Sequence, residues 1–145
     1  MPNLRASLVI GLAAVGGATT HFPLLLIPFG TSILVVFGSP EATPAQPRSL
    51  IGGHLVSAAV GLLVLKLVGP HAWAAAAAVG LSMVAMHLTR TFHPPAGIDP
   101  LIIVVNNMPL TYLLLPVAVG ALTLALFAGL WHRLVTRVPW PERWW

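Results

Sequence analysis

Apolar residues dominate the chain in long runs that are separated by short polar stretches. The four long runs are Ala6–Thr20, Leu50–Val68, Ala72–Leu88 and Thr111–Leu134. Two shorter runs are Leu24–Phe37, which contains Pro28 and Gly30, and Leu101–Val105. Transmembrane strands would alternate apolar and polar residues over about ten positions, whereas these runs are nearly continuous. The pattern predicts an all-α, polytopic membrane protein with four full transmembrane helices and two short helices broken by proline and glycine.

The second short run follows a stretch in which a helix cannot continue. Residues 90–100 (RTFHPPAGIDP) contain an Arg, a His, an Asp, three prolines and a glycine. Adjacent prolines lack the N–H groups of a helix interior, and each disfavours the α conformation of the residue before it. The backbone should therefore open at Pro94 and Pro95. Asp99-Pro100 is typical of a helix N-cap followed by proline at the first helical position.

Composition supports a membrane location and limits the chemistry. The chain is 7% charged, whereas soluble domains are about 25% charged. Its net charge of +4 comes from scattered basic residues, most of them near predicted helix ends, which favours orientation in a membrane over nucleic-acid binding. Cysteine is absent, and neither a zinc-binding histidine motif nor a Gly-x-Ser-x-Gly nucleophile motif occurs. We expect no metal, no cofactor and no enzyme activity.

The two halves of the chain resemble each other. Ser32–Pro40 aligns with Leu101–Pro109, and residues 59–63 (AVGLL) align with residues 118–122 (AVGAL). Each half, about residues 4–68 and 70–134, contains a full helix, a short broken helix and a second full helix. We therefore expect one transmembrane domain over residues 1–145, built as an inverted 3+3 repeat if the short segments cross the membrane.

The basic residues distinguish two topologies. If both short segments cross, the chain has six crossings, with every arginine on one side and Lys66 on the other. If the short segments re-enter, there are four crossings, and Arg48 and Arg90 move to the opposite side. The positive-inside rule favours six crossings with both termini cytoplasmic. The expected location is the inner membrane of a bacterium.

Broken segments at matching places in two inverted halves indicate a transport site. Breaks at Pro28–Gly30 and Pro94–Gly97 would place two half-helix N-termini near the midplane of the membrane. Their unpaired N–H groups and partial positive charge favour an anion. The hydroxyls of Thr31 and Ser32 would add donors, whereas Asp99 would repel an anion unless it is paired or protonated.

Three histidines are expected on the cytoplasmic half, and ionisable groups inside a bilayer are functional candidates. His93 lies at the break, where it would relay protons or bind the anion, or else cap an exposed carbonyl. For His54 a functional and a structural role are equally open. His87 is expected to be interfacial, as are His21, His71 and His132 near helix ends. Arg48 and Arg90 are either membrane anchors or attract anions to the cytoplasmic side.

The expected anion site therefore gathers residues from both breaks and from the third predicted helix. Asp99 and His93 are the candidates for proton coupling. The site residues are His93, Pro94, Pro95, Gly97, Gly30, Thr31, Ser32, His54 and Arg90.

Four stretches resemble the HPP family of small integral membrane proteins, in the same order. They are Pro28-Phe29-Gly30-Thr31-Ser32, Ala45-Gln46-Pro47-Arg48, Ile51-Gly52-Gly53-His54 and His93-Pro94-Pro95-Ala96-Gly97. The resemblance covers about residues 6–134, and Ile98 replaces the small residue expected there. Plant plastid and cyanobacterial members are associated with nitrite transport, and many bacterial members have no assigned role. The resemblance thus implies a transporter or channel for a small anion, nitrite above all. The alternative is a structural or assembly membrane protein without transport activity.

Two small-residue faces allow close helix packing. One consists of Gly53, Ser57 and Gly61, and the other of Ala121, Ala125 and Gly129. A chain of 145 residues is small for a transporter, so we expect a homo-oligomer, a dimer packed through one of these faces. The same faces could instead pack within one protomer. The expected partners are a small anion, the lipid bilayer and a second copy of the chain, and not nucleic acid.

Overall fold

The computed structural model describes residues 23–144, with side chains from residue 27 onward. This part of the chain is helical and contains no strand. The α-helices are α1 (Pro23–Gly38), α2 (Pro47–Val68), α3 (Ala72–Leu88), α4 (Asp99–Val105) and α5 (Val119–Trp131). Shorter 3₁₀ or π helices lie at Thr43–Ala45, Pro94–Ile98, Leu110–Leu113, Leu114–Ala118 and His132–Thr136. The predicted helix at Ala6–Thr20 and His21 lie outside the described residues.

Two of the predicted long helices agree with the pattern of the sequence. The predicted helix Thr111–Leu134 is instead interrupted, because the backbone is non-helical at Leu115 (φ −126°, ψ 115°) and the regular α-helix covers Val119–Trp131. α3 has the predicted bounds, and α2 begins three residues earlier, at Pro47. Proline is favoured at the first helical position because its missing N–H would have no partner there. Pro47–Val68 and Leu110–Thr136 are long and apolar enough to cross a membrane, whereas α3 is shorter. The all-helical prediction is confirmed, and the number of full spans and the inverted repeat stay predictions.

The first predicted break is absent. α1 continues without interruption from Pro23 through Pro28 to Gly38. The hydroxyls of Thr31 and Ser32 donate to the Pro28 carbonyl, at 3.0 and 2.8 Å, as these side chains do within a helix. The prediction that a half-helix begins at Thr31 is therefore wrong, and so is the prediction of two helix N-termini facing one site.

The second predicted break is present. α3 ends at Leu88, and His93 is extended (φ −135°, ψ 97°) directly before Pro94, as the proline ring requires. Pro94–Ile98 then forms a 3₁₀ helix that leads into α4. The predicted N-cap is wrong, because the Asp99 side chain makes no capping bond and instead pairs with His54.

The segment after the break runs along α2 from one end of the molecule towards the other. Three contacts advance together along the two segments. They join Gly53 to His93, Ser57 to Ala96 and Gly61 to Pro100. Since the partners follow each other in the same direction, residues 91–105 run parallel to α2 and do not turn back. Within the molecule this segment therefore lies beside α2 and parallel to it, and its crossing of the membrane stays a prediction.

Two glycines of α2 make this close approach possible. A Cβ on Gly53 would lie 2.6 Å from the His93 Cβ, and one on Gly61 would lie 2.7 Å from the Pro100 Cα. Between them, the Ser57 hydroxyl donates to the Ala96 carbonyl at 2.7 Å. The face of Gly53, Ser57 and Gly61 is thus covered by the chain's own broken segment, so of the two alternatives for this face the structure has packing within one protomer.

Basic residues gather at one end of the molecule. Arg48 Nη2 donates to the Thr89 carbonyl at 3.1 Å, next to Arg90. Lys66 follows Arg48 by eighteen residues of α2, which is about 27 Å along the helix. The end of the molecule at which α2 begins is called the basic end below. Its arginines include Arg48, Arg90 and Arg143, and the backbone N–H of Arg143 donates to the Gln46 side chain. This separation of arginine from lysine agrees with the six-crossing topology, whose orientation in the membrane stays a prediction.

Candidate functional site

Four buried polar side chains meet inside the basic end, each from a different part of the chain. They are Ser32 of α1, His54 of α2, His93 of the break and Asp99 of α4, and each has an exposed fraction of 1% or less. His54 lies seven residues after the start of α2, about 10 Å along the helix. These four residues are called the histidine cluster.

The histidine cluster is a continuous series of hydrogen bonds. Asp99 Oδ2 lies 2.8 Å from His54 Nδ1, and His54 Nε2 lies 2.9 Å from Ser32 Oγ. Ser32 Oγ lies 2.9 Å from His93 Nε2, and His93 Nδ1 lies 2.7 Å from the Pro44 carbonyl. The series therefore joins a backbone carbonyl in the loop at the basic end to a carboxylate in the interior.

Apolar side chains enclose the cluster. The Phe29 ring lies 4.7 Å from the His54 ring. A Cβ on Gly120 would lie 2.6 Å from Phe29, so the glycine leaves room for this ring against α5. On the side of Asp99, the buried Tyr112 packs with Ile98 and other apolar residues. The cluster thus lies in surroundings of low polarity, where hydrogen bonds are strong and an unpaired polar group is costly.

One atom of the cluster has no partner. Asp99 Oδ1 is buried and makes no hydrogen bond, although Oδ2 is bonded to His54. A buried pair of this kind is stable only when its geometry is good and its remaining lone pairs are satisfied. The unpaired oxygen therefore marks Asp99 as the group in the cluster whose charge is least fully compensated.

The structure brings together only part of the predicted site. Ser32, His54 and His93 are in direct contact, and Asp99, a candidate for proton coupling, completes the cluster. Thr31 is exposed and donates to the Pro28 carbonyl.

The predicted backbone positions lie beside the cluster rather than in it. Gly30 lines an apolar groove together with Gly120 and Phe127. Pro94 and Gly97 line a different apolar cavity, between the broken segment and α3. Pro95 is half-buried. A backbone opening alone does not identify which side chains converge, because that depends on the packing of α1 and α2 against the break.

Arg90 is exposed and has an unusual backbone conformation. Its φ of 57° places it in the left-handed region, directly after Thr89, the C-cap of α3. The Arg90 N–H donates to the His87 carbonyl and the Thr91 N–H to the Met86 carbonyl, which is the Schellman arrangement that usually has glycine at this position. An arginine here costs of order 1–3 kcal/mol relative to a relaxed backbone. The turn places Arg90 at the basic end, three residues before His93.

His132 differs from its expected interfacial position. Its exposed fraction is 1%, its Nε2 lies 3.1 Å from the Val36 carbonyl, and its Nδ1 lies 3.1 Å from Thr136 Oγ1. The Phe37 ring stacks on it at 5.3 Å. His87 and His71 are exposed, and each stacks on an aromatic ring.

Two groups that contact the histidine cluster were not predicted from the sequence. The Pro44 carbonyl ends the series, and Phe29 covers His54. Phe29 lies within the Pro28–Ser32 stretch that resembles the HPP family, so the sequence contained a signal for this residue. No local sequence pattern distinguishes the Pro44 carbonyl from the other carbonyls of its loop. Among the residues that the structure describes, no three His, Asp or Glu side chains converge so that they could hold a metal ion.

Comparison with known proteins connects this architecture to a family. A sequence profile of the HPP transmembrane region matches residues 4–141. A transmembrane protein of Dictyostelium discoideum is 39% identical over 129 residues, which cover 83% of this chain and 42% of that protein. A second one is 35% identical over 130 residues, covering 84% and 46%. The chain thus spans less than half the length of these curated relatives, and no solved structure matches it. The chain belongs to the HPP family of integral membrane proteins.

Proposed function

We propose that this protein moves a small inorganic anion across the membrane, with nitrite as the first candidate. The observation that carries the proposal is the histidine cluster, which buries two imidazoles and a carboxylate within an apolar helical chain. Ionisable groups inside a bilayer are costly and occur mainly on the paths of transported ions and protons. The resemblance to HPP members associated with nitrite transport supplies the substrate class.

Charge at the basic end supports an anion over a cation. Arg48 and Arg90 lie near the loop whose Pro44 carbonyl contacts His93. Positive charge at the mouth of a low-dielectric path raises the local concentration of anions. Protonated His93 would be a cation with two N–H donors. The support therefore comes from the histidines and arginines, and no longer from paired helix N-termini.

Flux into proteoliposomes tests this function. The purified protein is reconstituted, nitrite is added outside, and internal nitrite is measured over time against protein-free vesicles. We expect protein-dependent nitrite uptake that His93→Ala abolishes. His132→Ala is the matched control, because it removes a histidine that is equally buried but lies outside the cluster.

Both variants must elute as folded protein from a size-exclusion column before reconstitution. Uptake that survives His93→Ala, or that is lost equally in both variants, would contradict a role of the cluster in transport. Nitrate, chloride and formate in the same vesicles determine how far the path selects among small anions.

A structural or assembly role is the second candidate. It is favoured by the closure of the cluster, whose four side chains bond to one another and to backbone carbonyls at an exposed fraction of 1% or less. Such a network would fasten α1, α2 and the broken segment together. Absence of flux for every small anion tested, with folded protein in the vesicles, would favour this role.

Location and assembly remain predictions. The relatives named above come from Dictyostelium, and the expectation of a bacterial inner membrane with cytoplasmic termini rests on composition and basic residues. The expected homodimer no longer has the Gly53 face available. On the second face, Ala121 is fully buried and Gly129 lies beside Trp140.

A further inference from the structure

The contacts of the histidine cluster require more hydrogens than its neutral groups provide. Five contacts of 2.7 to 2.9 Å join the cluster internally and to the carbonyls of Pro28 and Pro44. Each hydrogen bond needs one hydrogen between its two heavy atoms. With both imidazoles neutral and Asp99 ionised, the cluster holds three such hydrogens, one on each ring and one on the Ser32 hydroxyl.

The two carbonyls fix where some of these hydrogens must lie. The Pro44 carbonyl only accepts, so His93 Nδ1 must carry a hydrogen, and neutral His93 then has an acceptor at Nε2. Ser32 Oγ faces that nitrogen, His54 Nε2 and the Pro28 carbonyl. Its single hydrogen cannot serve both the Pro28 carbonyl and His93. All three contacts of the Ser32 hydroxyl are hydrogen bonds when it donates to the Pro28 carbonyl and accepts from both imidazoles. This arrangement requires that both Nε2 atoms are protonated.

Counting charge with the hydrogens links the cluster to an anion. With three hydrogens both imidazoles are neutral and Asp99 is ionised, so the cluster has a net charge of −1. Each further proton adds one positive charge. The cluster is therefore neutral with four hydrogens and has a charge of +1 with five, when every contact is a hydrogen bond. An uncompensated charge is costly in apolar surroundings. The form with five hydrogens is therefore favoured when a monovalent anion lies close to the cluster, because the charges of the cluster and the anion then cancel.

We propose that the histidine cluster takes up one proton together with each anion, so that the protein is an electroneutral proton–anion symporter. This inference rests on the anion transport proposed above and specifies its coupling. Ser32 has the central position, because its hydroxyl is the hydrogen-bonded link between the two histidines, whose rings lie 5.2 Å apart.

The same contacts give a proton a path into the protein. In the four-hydrogen form with His93 protonated, the His93 Nε2–H bond breaks as a new Ser32 Oγ–H bond forms. The original serine proton passes to His54 Nε2, and the His54 Nδ1 proton passes to Asp99 Oδ2. Three bonds to hydrogen break and three form, and His93 becomes neutral as the Asp99 carboxylate becomes a carboxyl group. Asp99 Oδ2 is the inner end of this path, and the other oxygen of the same carboxylate, Oδ1, has no partner.

Other ionisable groups near the cluster do not supply the extra proton. Among the described residues, Tyr112 is buried on the side of Asp99, and a phenol keeps its proton near neutral pH. Arg48 of α2 and Arg90 at the end of α3 are always protonated. His87 of α3 is exposed and stacks on Phe92. The proposed proton exchange therefore involves His93, His54 and Asp99.

Simultaneous measurement of anion and proton flux tests the coupling. Proteoliposomes contain a pH-sensitive dye, and their membrane potential is clamped with potassium and valinomycin. We expect nitrite uptake to accelerate when the inside is made alkaline, to acidify the interior by one proton per nitrite, and to be unchanged by the potential. Protein-free vesicles correct for nitrous acid that crosses the lipid unaided.

Ser32→Ala removes the hydrogen-bonded link between the two histidines and keeps both imidazoles and the Asp99 carboxylate. We expect it to lower proton-driven nitrite uptake by about 100-fold, the low end of what positioned proton-transfer groups contribute. Ser57→Ala is the matched control, because Ser57 is a fully buried serine whose hydroxyl bonds only the Ala96 carbonyl. It should keep the ratio of one proton per nitrite.

The outcomes separate the two proposals. Nitrite uptake that follows the membrane potential and moves no protons would overturn the coupling and leave anion transport standing. Absence of uptake for nitrite and all other small anions would overturn both. Equal losses in Ser32→Ala and Ser57→Ala would show that packing, and not the proton path, limits the flux, which also overturns the coupling.

Discussion

The histidine cluster and the site of His132 are both buried, yet their hydrogen bonds are of different kinds. His132 has two contacts, to the Val36 carbonyl and to the Thr136 hydroxyl. The Thr136 hydroxyl also contacts the His132 carbonyl at 3.2 Å, so a neutral imidazole and one hydroxyl supply two hydrogens for three contacts of 3.1 to 3.2 Å. In the histidine cluster, three hydrogens from neutral rings and serine face five contacts, and a carboxylate lies at the end.

The difference shows that burial alone does not distinguish a functional histidine from a structural one. Both His54 and His132 have an exposed fraction of 1% or less. The His132 site lacks one hydrogen where the cluster lacks two, and the partners of the His132 ring are a carbonyl and a hydroxyl rather than a carboxylate. The cluster has no uncharged state in which every contact is satisfied, and its state therefore depends on what else is present.

The largest expected effect comes from breaking the buried pair of His54 and Asp99. His54→Leu leaves Asp99 buried without its partner, and we expect a loss of about 3–5 kcal/mol in the free energy of unfolding. His132→Leu leaves only neutral groups unpaired and should cost about 1–3 kcal/mol. Denaturant titration of the protein in detergent, followed by tryptophan fluorescence, measures both.

A double variant completes this test. His54→Leu combined with Asp99→Leu removes both partners of the buried pair, and replacing such a pair by apolar residues often leaves the stability unchanged. We therefore expect the double variant to be more stable than His54→Leu alone. The expected difference between the two buried sites is contradicted if His54→Leu lowers the free energy of unfolding no more than His132→Leu does. It is also contradicted if adding Asp99→Leu to His54→Leu lowers the free energy of unfolding further.

A smaller effect is expected from the glycine that admits His93 to the cluster. A Cβ at Gly53 would lie 2.6 Å from the His93 Cβ and 2.8 Å from the Thr91 carbonyl. Gly53→Ala should therefore lower the free energy of unfolding by about 1–3 kcal/mol through overpacking, and should reduce nitrite uptake by displacing His93.

Gly129 is the matched glycine near His132. A Cβ there would lie 3.6 Å from Trp140, an ordinary contact, so Gly129→Ala should raise the free energy of unfolding by about 0.5–1 kcal/mol through helix propensity. Unfolding and uptake are measured together for both variants. Equal stability of the two variants would mean that the His93 segment can move away from α2 freely.

Local chemistry explains which parts of this architecture could be predicted from sequence. The bounds of α3 and the break at Pro94 follow from a continuous apolar run and from two prolines, and the structure has both. The continuity of α1 was missed because the effect of Pro28 depends on its helical neighbours, whose hydroxyls bond its carbonyl.

The pairing within the site could not be predicted because it joins distant positions. Asp99 contacts His54 across 45 residues, and His132 contacts Val36 across 96. An aspartate before a proline is typical of an N-cap, and only the position of α2 shows that its carboxylate is used elsewhere. The sequence therefore singled out residues that meet in the structure, whereas their pairing required the packed structure, and their role in a site stays a prediction.

The smallest expected effect concerns the exposed arginines beside the two sites. Arg90 lies three residues before His93, and Arg133 directly follows His132; both are exposed. If Arg90 attracts anions through its field, Arg90→Gln should slow nitrite uptake by about threefold at low salt, well below the 10–10³-fold effect of a whole charged surface. Arg133→Gln should change it less, because no anion path is proposed beside His132. Initial rates of nitrite uptake at a series of ionic strengths measure both variants.

Ionic strength separates attraction from binding. The screening length falls from about 30 Å at 0.01 M salt to about 3 Å at 1 M, so a loss caused by the field of Arg90 should disappear at high salt. A loss that persists at 1 M would mean that the Arg90 side chain contacts the anion itself. The left-handed backbone at Arg90 would then be part of the binding site, since it determines where this side chain leaves the turn at the basic end.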